Sequence, residues 1–384
     1  MFSQVMGFAS NYPLLQCIKK YQGDHRVRSL TCREQFRALA FGQLAHRESL
    51  RDVVACLGAH REKLYHLGFG GPLSKTTLAK ANELRDWRMY RDFAQILIDE
   101  ARQLYASDAV FDLALDGTYY AIDSTSIDLC LSLFGWAPYK EAQGAVKVHT
   151  QMDLRGSIPT FFHITDGKVN DMNFLDLVSF ERGAHYIMDR GYVDYARLHT
   201  INQAGAYFVT RAKKNMLWER IYSQDVDRRS GLRCDQIIRL TGVHAHDRYP
   251  DKLRRVKYYD AETDQLYVFL TNDFSSSAQT IADLYRHRWQ IELFFRWIKQ
   301  HLKIKVFWGR SENAVKTQIC VAICTYLIVA IMKKRLDITC DLNEMLQILS
   351  VSLFDKMPVV ELFSGGALQK DVKGFQSTLP GLGF

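Results

Sequence analysis

The chain has 384 residues, 47% of them hydrophobic, with 50 Lys and Arg against 42 Asp and Glu for a formal charge of +8. This excludes a disordered chain, supplies a sizeable core for one large domain or several ordinary ones, and is compatible with a polyanionic partner without demanding one. Eight cysteines, at 17, 32, 56, 130, 234, 320, 324 and 340, form no CxxC pair, which points to reduced, packed thiols rather than a disulfide framework. Met1 to Gln16 lacks the succession of a signal peptide. The most apolar run, Ile319 to Met332, is shorter than the roughly 20 residues that cross a bilayer. A cytoplasmic protein without membrane spans is expected, with that run as a buried helix.

From Thr31 to Leu57, Phe36, Leu39, Phe41, Leu44, Leu50, Val53 and Leu57 recur at helical spacing among Arg33, Arg37, Arg47 and Arg51, which predicts amphipathic helices with a basic outer face. Gly68 to Pro72 breaks the pattern, and Ser74 stands at an N-cap position before Leu78, Ala81, Leu84, Trp87 and Tyr90. Residues 1–108 are therefore expected to be an all-helical domain.

The pattern changes near Ala109. Tyr119 to Leu129 is β-rich, and Val146 to Met152 and Ile158 to Ile164 flank the turn Asp153-Leu-Arg-Gly156, a hairpin signal. A short helix over Asn173 to Phe180, a strand over Ala184 to Met188, a helix over Asp194 to Gln203 and a strand over Ala206 to Thr210 follow. Three antiparallel strands and then alternating helix and strand is the order of a ribonuclease H-like α/β core. Its first part is expected at 109–214, a β-rich insertion at 215–274, its second part at 275–340, and a helix and tail at 341–384. Ser275 to Ser277 punctuate the entry to one long helix running to about Leu302.

Wound as a continuous helix of about 100° per residue, Tyr285, Arg288, Glu292 and Lys299 fall on one narrow stripe with Arg296 beside it. Leu284, Ile291, Phe295 and Ile298 form the neighbouring stripe. One stripe can pack on a sheet while the other presents a carboxylate among cations. A solvated face with Glu292 paired to Arg288 and Arg296 accounts equally well for this helix taken alone. Asp123 interrupts the strand Tyr119-Tyr-Ala-Ile-Asp-Ser-Thr125, and Asp189 ends the apolar run Tyr186-Ile-Met188. A carboxylate in a buried strand costs several kcal/mol unless it is paired or binds metal, and strand ends are where α/β folds place functional groups. Turn or cap duty describes most aspartates in such positions, and it fits Asp153, Asp166 and Asp194 better.

Taken together, these residues resemble the IS4 family of DDE transposases of bacterial insertion sequences. Tyr285-x2-Arg288-x3-Glu292-x6-Lys299 matches that family's Y-(2)-R-(3)-E-(6)-K signature, and Asp123-Ser-Thr and Asp189-Arg-Gly-Tyr resemble its two aspartate motifs. The resemblance spans about residues 115 to 335. It implies that Asp123, Asp189 and Glu292 are the catalytic metal ligands, holding two Mg2+ or Mn2+ ions, and that Tyr285, Arg288 and Lys299 contact phosphates. Arg296 joins them by its place on the stripe, and Trp289 is a candidate for stacking on a displaced base; Trp297 lies off the stripe and reads as packing. The segments Arg47 to Asp52 and Ala81 to Arg88 resemble the small helical domain that precedes the core in one branch of the family, which implies DNA binding by the first hundred residues. The implied activity is cut-and-paste transposition through a hairpin end. Its partners are double-stranded DNA, both terminal inverted repeats and target, and a second copy of the chain. A metal-dependent nuclease that does not rejoin DNA and a catalytically silent DNA-binding repressor are the alternatives.

Overall fold

A computed structural model describes residues 1–108, 117–129, 132, 134–140, 143–302 and 307–363. In chain order the helices α1 (Phe2–Gly7), α2 (Asn11–Lys20), α3 (Cys32–Leu44), α4 (Leu50–Ala59), α5 (Leu64–Leu67), α6 (Lys75–Leu84) and α7 (Arg88–Tyr105) come first. Strands β1 (Tyr119–Leu129), β2 (Pro138–Lys140), β3 (Gln143–Asp153), β4 (Ile158–Asp166) and β5 (His185–Met188) follow, then α8 (Tyr195–Gln203) and β6 (Tyr207–Arg211). Next are β7 (Trp218–Gln224), β8 (Leu232–Leu240), α9 (Val243–Arg248), β9 (Leu253–Asp260) and β10 (Gln265–Thr271). Helices α10 (Ala278–Arg286), α11 (Trp289–Leu302), α12 (Glu312–Arg335) and α13 (Leu342–Ser352) close the described chain.

Two compact units divide it, Met1–Leu104 with His301–Phe384, and Tyr105–Gln300. Helix α12, grouped by sequence with the second part of the core, thus belongs to the helical unit. It is long and apolar enough to cross a membrane, yet 94% of its apolar window is buried, so it is the helical unit's central core element. Helix α3 packs on it, and every α3 residue except Arg33 is buried. The basic outer face expected for this helix is therefore absent: Arg37 is enclosed and donates from Nη1 to the Leu67 carbonyl at 2.9 Å. Thr31 and Glu34 cap α3 reciprocally, satisfying donors that the helix leaves open.

The second unit is built on a single mixed sheet ordered β2-β3-β1-β5-β6-β10-β9-β8-β7, with β4 also paired to β3. Strands β4, β3 and β1 are antiparallel, β1, β5 and β6 parallel. The β-rich residues after Asn215 do not form a separate module, because β10 pairs antiparallel with β6 and carries the sheet onward. Alternation of side chains sorts the two faces. Tyr120, Ile122, Tyr186, Met188 and Phe208 join one buried cluster with Leu198 and Ile201 of α8, each such side chain contributing about 1.5–3 kcal/mol by leaving water. The other face, carrying Ala121, Ile187 and Val209, receives α10.

The single long helix expected up to Leu302 is broken. Helix α10 ends at Arg286 and α11 begins at Trp289, and the amides of Arg288, Gln290 and Ile291 each bond three residues back. Such 3₁₀ winding turns about 120° per residue, so the continuous-helix stripe does not describe this segment. Neither Gly nor Pro marks the break in the sequence.

Candidate active site

Strand register sets the floor of the site. Ile122 is paired with Met188, and Met188 with Thr210, so the residues that follow, Asp123 within β1, Asp189 just past β5 and Arg211 at the end of β6, lie side by side on one face. Arg211 was not singled out from sequence; only the register of β6 against β5 brings its Nη1 to 4.0 Å from Asp189 Oδ1.

The break between α10 and α11 supplies the wall. Tyr285, 8% exposed and packed on Phe269, donates its hydroxyl to Asp189 Oδ1 at 3.0 Å. Arg288 donates from Nη1 to Asp123 Oδ2 at 2.6 Å and from Nη2 to Glu292 Oε1 at 2.8 Å. A single guanidinium thus spans two carboxylates that are far apart in sequence. Arg296 and Lys299, both exposed, line a cleft of about 540 Å³ with Asp123, Ser124, Thr125, Glu292 and Phe295. Trp289 is 47% exposed and does not line that cleft; the side chain of Trp297 lies outside the described residues.

The two aspartates have opposite electrostatics. Burial pushes the Asp123 carboxyl up to about 6, with Asp189 and Glu292 adding to the shift and Arg288 and the Ser124 amide opposing it. Burial also acts to raise Asp189, but the Arg190 amide, Arg288, the Tyr285 hydroxyl and Arg211 outweigh it, leaving the group below the ordinary carboxylate value. Burial moves the Tyr285 phenol up to about 12, so it stays a donor at neutral pH. Burial disfavours the Arg288 charge, yet Asp123, Tyr285, Glu292 and Asp189 more than compensate and its pKa is raised.

A divalent ion fits this donor set in kind, since hard cations take carboxylate oxygens. Among the described residues no three His, Cys, Asp or Glu side chains stand close enough together to hold one ion, and the Arg288 guanidinium hydrogen-bonds both Asp123 and Glu292. The bland assignments for the other acids hold. Asp153 and Asp166 accept from amides two residues on, at 2.9 Å each, and Asp194 caps α8.

Residues 116–328 match the family model described as transposase DDE domain, and residues 1–70 match a domain of unknown function, DUF4372. A Sinorhizobium fredii protein carrying a transposase name, y4zB, is 36% identical over 245 residues, 63% of this chain and 68% of the relative. A Geobacillus stearothermophilus relative named for insertion sequence element IS5377 is 30% identical over 54% of each chain. One from Synechocystis, named for element IS4SA, is 24% identical over 68% of this chain and 73% of its own length. A cryo-EM structure of a piggyBac transposase synaptic complex with hairpin DNA aligns over 99% of this chain and 84% of that one, at 11% identity and a TM-score of 0.45; a likeness that low fixes no detail of this fold. The chain belongs to the DDE transposases. Within them its relatives place it with the IS4 type.

Proposed function

We propose that this chain is a metal-dependent DNA-cutting and DNA-joining enzyme that moves an insertion sequence by cut and paste. In this reading Asp123, Asp189 and Glu292 hold two Mg2+ or Mn2+ ions. The observation that carries it is the convergence of the signature: Arg288 joins Asp123 to Glu292, and Tyr285 joins Asp189. The order β4-β3-β1-β5-β6, antiparallel and then parallel, supports a ribonuclease H-like core.

Bound ions would lower the pKa of an attacking water or 3′-hydroxyl and stabilise the leaving oxygen. The protein's own groups do the rest. Lys299 and Arg296, exposed along the cleft, grip backbone phosphates and position the strand without reading its sequence. Arg288, held on Asp123 and Glu292 in the DNA-free chain, would be the cation for a phosphate once ions took the carboxylates. Tyr285 orients Asp189 from behind, and Trp289, exposed at the start of α11, stacks on an unpaired base. The helical unit contributes DNA-end binding. Two copies of the chain hold the two inverted repeats together; water cleaves one strand to free a 3′-hydroxyl, which attacks the phosphodiester opposite and expels the flanking DNA to leave a hairpin, and water reopens the hairpin to a 3′-hydroxyl that attacks a target phosphodiester, displacing a target 3′-hydroxyl. The setting is the bacterial cytoplasm.

The test is strand transfer from a pre-cut transposon end into plasmid DNA with Mn2+. Joined products are the expected result; cutting of an intact end without joining identifies a nuclease, and end binding without either identifies a repressor.

A further inference from the structure

Behind Asp123, on the opposite face of the same strand, lies a polar cluster that the proposed triad does not use. Ser124 Oγ donates to Asp171 Oδ1 at 2.6 Å. Lys147 Nζ stands 3.0 Å from that same oxygen and donates to the Val169 carbonyl at 2.8 Å. His149, opposite Ser124 in the β1–β3 register and 1% exposed, has Nε2 3.1 Å from Thr165 Oγ1 and Nδ1 3.9 Å from Asp171 Oδ1. Residues Asp171–Leu177 form a 3₁₀ segment that packs against a second one, Arg190–Tyr192, directly after Asp189. The Asp171 segment therefore touches the residue after Asp123 and the segment after Asp189.

A β-strand needs none of this to hold its place, since apolar residues would fill the same space. Lys147 is only 8% exposed, and burying an ammonium costs several kcal/mol unless it is paired. What the cluster achieves is control of one peptide. Ser124 touches Asp171 through its hydroxyl, and its backbone N–H donates to Asp123 Oδ1 at 2.8 Å. The residue that Asp171 anchors through its hydroxyl is thus the one whose N–H holds the Asp123 carboxylate.

We propose that Asp171, charge-balanced by Lys147, is a positioning residue: through the Ser124 hydroxyl it fixes the peptide whose N–H orients Asp123 toward a divalent ion. The inference rests on the reading of Asp123 as a metal ligand. Partners at one remove from a metal ligand typically change metal affinity or activity by about 10–100-fold.

The test measures Asp171→Asn, Ser124→Ala and Ser124→Thr beside Asp123→Asn. Readouts are Mn2+ binding to the DNA-free protein, followed by the paramagnetic resonance of free Mn2+, the single-turnover cleavage rate, and DNA-end affinity. Asp171→Asn and Ser124→Ala are expected to weaken Mn2+ binding and slow cleavage by about 10–100-fold with end affinity unchanged, and Ser124→Thr, which keeps the hydroxyl, to restore both. Wild-type Mn2+ binding and cleavage in folded Ser124→Ala overturn the proposal even if Asp171→Asn melts. Full cleavage by Asp123→Asn instead overturns the metal-ligand reading, and this proposal with it; an inactive Asp123→Asn beside an unaffected Asp171→Asn overturns the positioning role alone.

Discussion

Arg288 holds Asp123 at 2.6 Å with both side chains largely enclosed, 15% and 19% exposed. Guanidinium and carboxylate are each costly to bury alone, so removing one strands the other. Arg288→Gln is expected to destabilise the protein by on the order of 3 kcal/mol, read as a lowered melting temperature without divalent ions. Mn2+ should raise the melting temperature of this variant more than that of the parent, because the carboxylates are freed for the ion. Equal Mn2+ shifts in the two proteins would show that Arg288 does not stand in the way of metal.

Asp123→Asn, Asp189→Asn and Glu292→Gln are each expected to abolish end cleavage while leaving the affinity for DNA ends in place. Asp166→Asn, whose carboxylate serves only the turn amide of Lys168, should still cut. A variant of the first set that cleaves at the parent rate removes its residue from the triad.

Lys299 and Arg296 lie in the open along the cleft. If each neutralises one phosphate, replacing either by Ala lowers the slope of log affinity against log salt by about 0.9. Titrations of end binding at several salt concentrations measure this, and an unchanged slope means that the side chain does not touch the backbone.

Asp273, fully buried, accepts from Ser275 through both amide and hydroxyl at 2.8 and 2.7 Å, from the Ser276 amide at 3.0 Å, and lies 3.1 Å from His185 Nε2. Burial acts to raise its pKa, but these partners outweigh burial and hold it well below the ordinary value. A depressed carboxyl contributes stability that is complete above its unfolded pKa, about 3.9, and is lost progressively as pH falls below it toward the folded value. Asp273→Asn should therefore be less stable than the parent at pH 7, with the gap narrowing below about pH 4 in denaturant titrations. A gap that stays constant down to pH 2 would contradict the assignment.

In the helical unit, Gly42 lies inside α3 where an added Cβ would come within 2.6 Å of the Trp308 ring and 2.8 Å of Val53 Cγ2. Ala is favoured over Gly in a helix by about 1 kcal/mol, while overpacking a dense core costs about 1–3 kcal/mol. Gly42→Ala is expected to lose on balance and lower the unfolding midpoint. A gain in stability would mean that Trp308 can yield.

The signature residues were legible because their spacing is local. Tyr285, Arg288, Glu292 and Lys299 sit within fifteen consecutive residues, and Asp123 and Asp189 stand out because one interrupts an apolar strand and the other ends one. The same locality misled on geometry: a periodicity argument treats the segment as one helix, whereas the turn at His287 and Arg288 resets the rotation. It misled on α3 as well, where Arg37 marks an outer face by composition but is enclosed by its neighbours.

Composition, spacing and the order of elements by themselves pointed to a helical N-terminal segment followed by a mixed α/β segment, and the resemblance to the IS4 family singled out Asp123, Asp189 and Glu292. Tertiary structure alone decided that Arg211 stands beside Asp189, that Asp171 and Lys147 back Asp123, and that α12 fills the helical core. Each of these depends on strand register or helix packing between segments distant in sequence. A shift of one residue in register moves a side chain to the other face of the sheet, and no local pattern in the sequence encodes that choice.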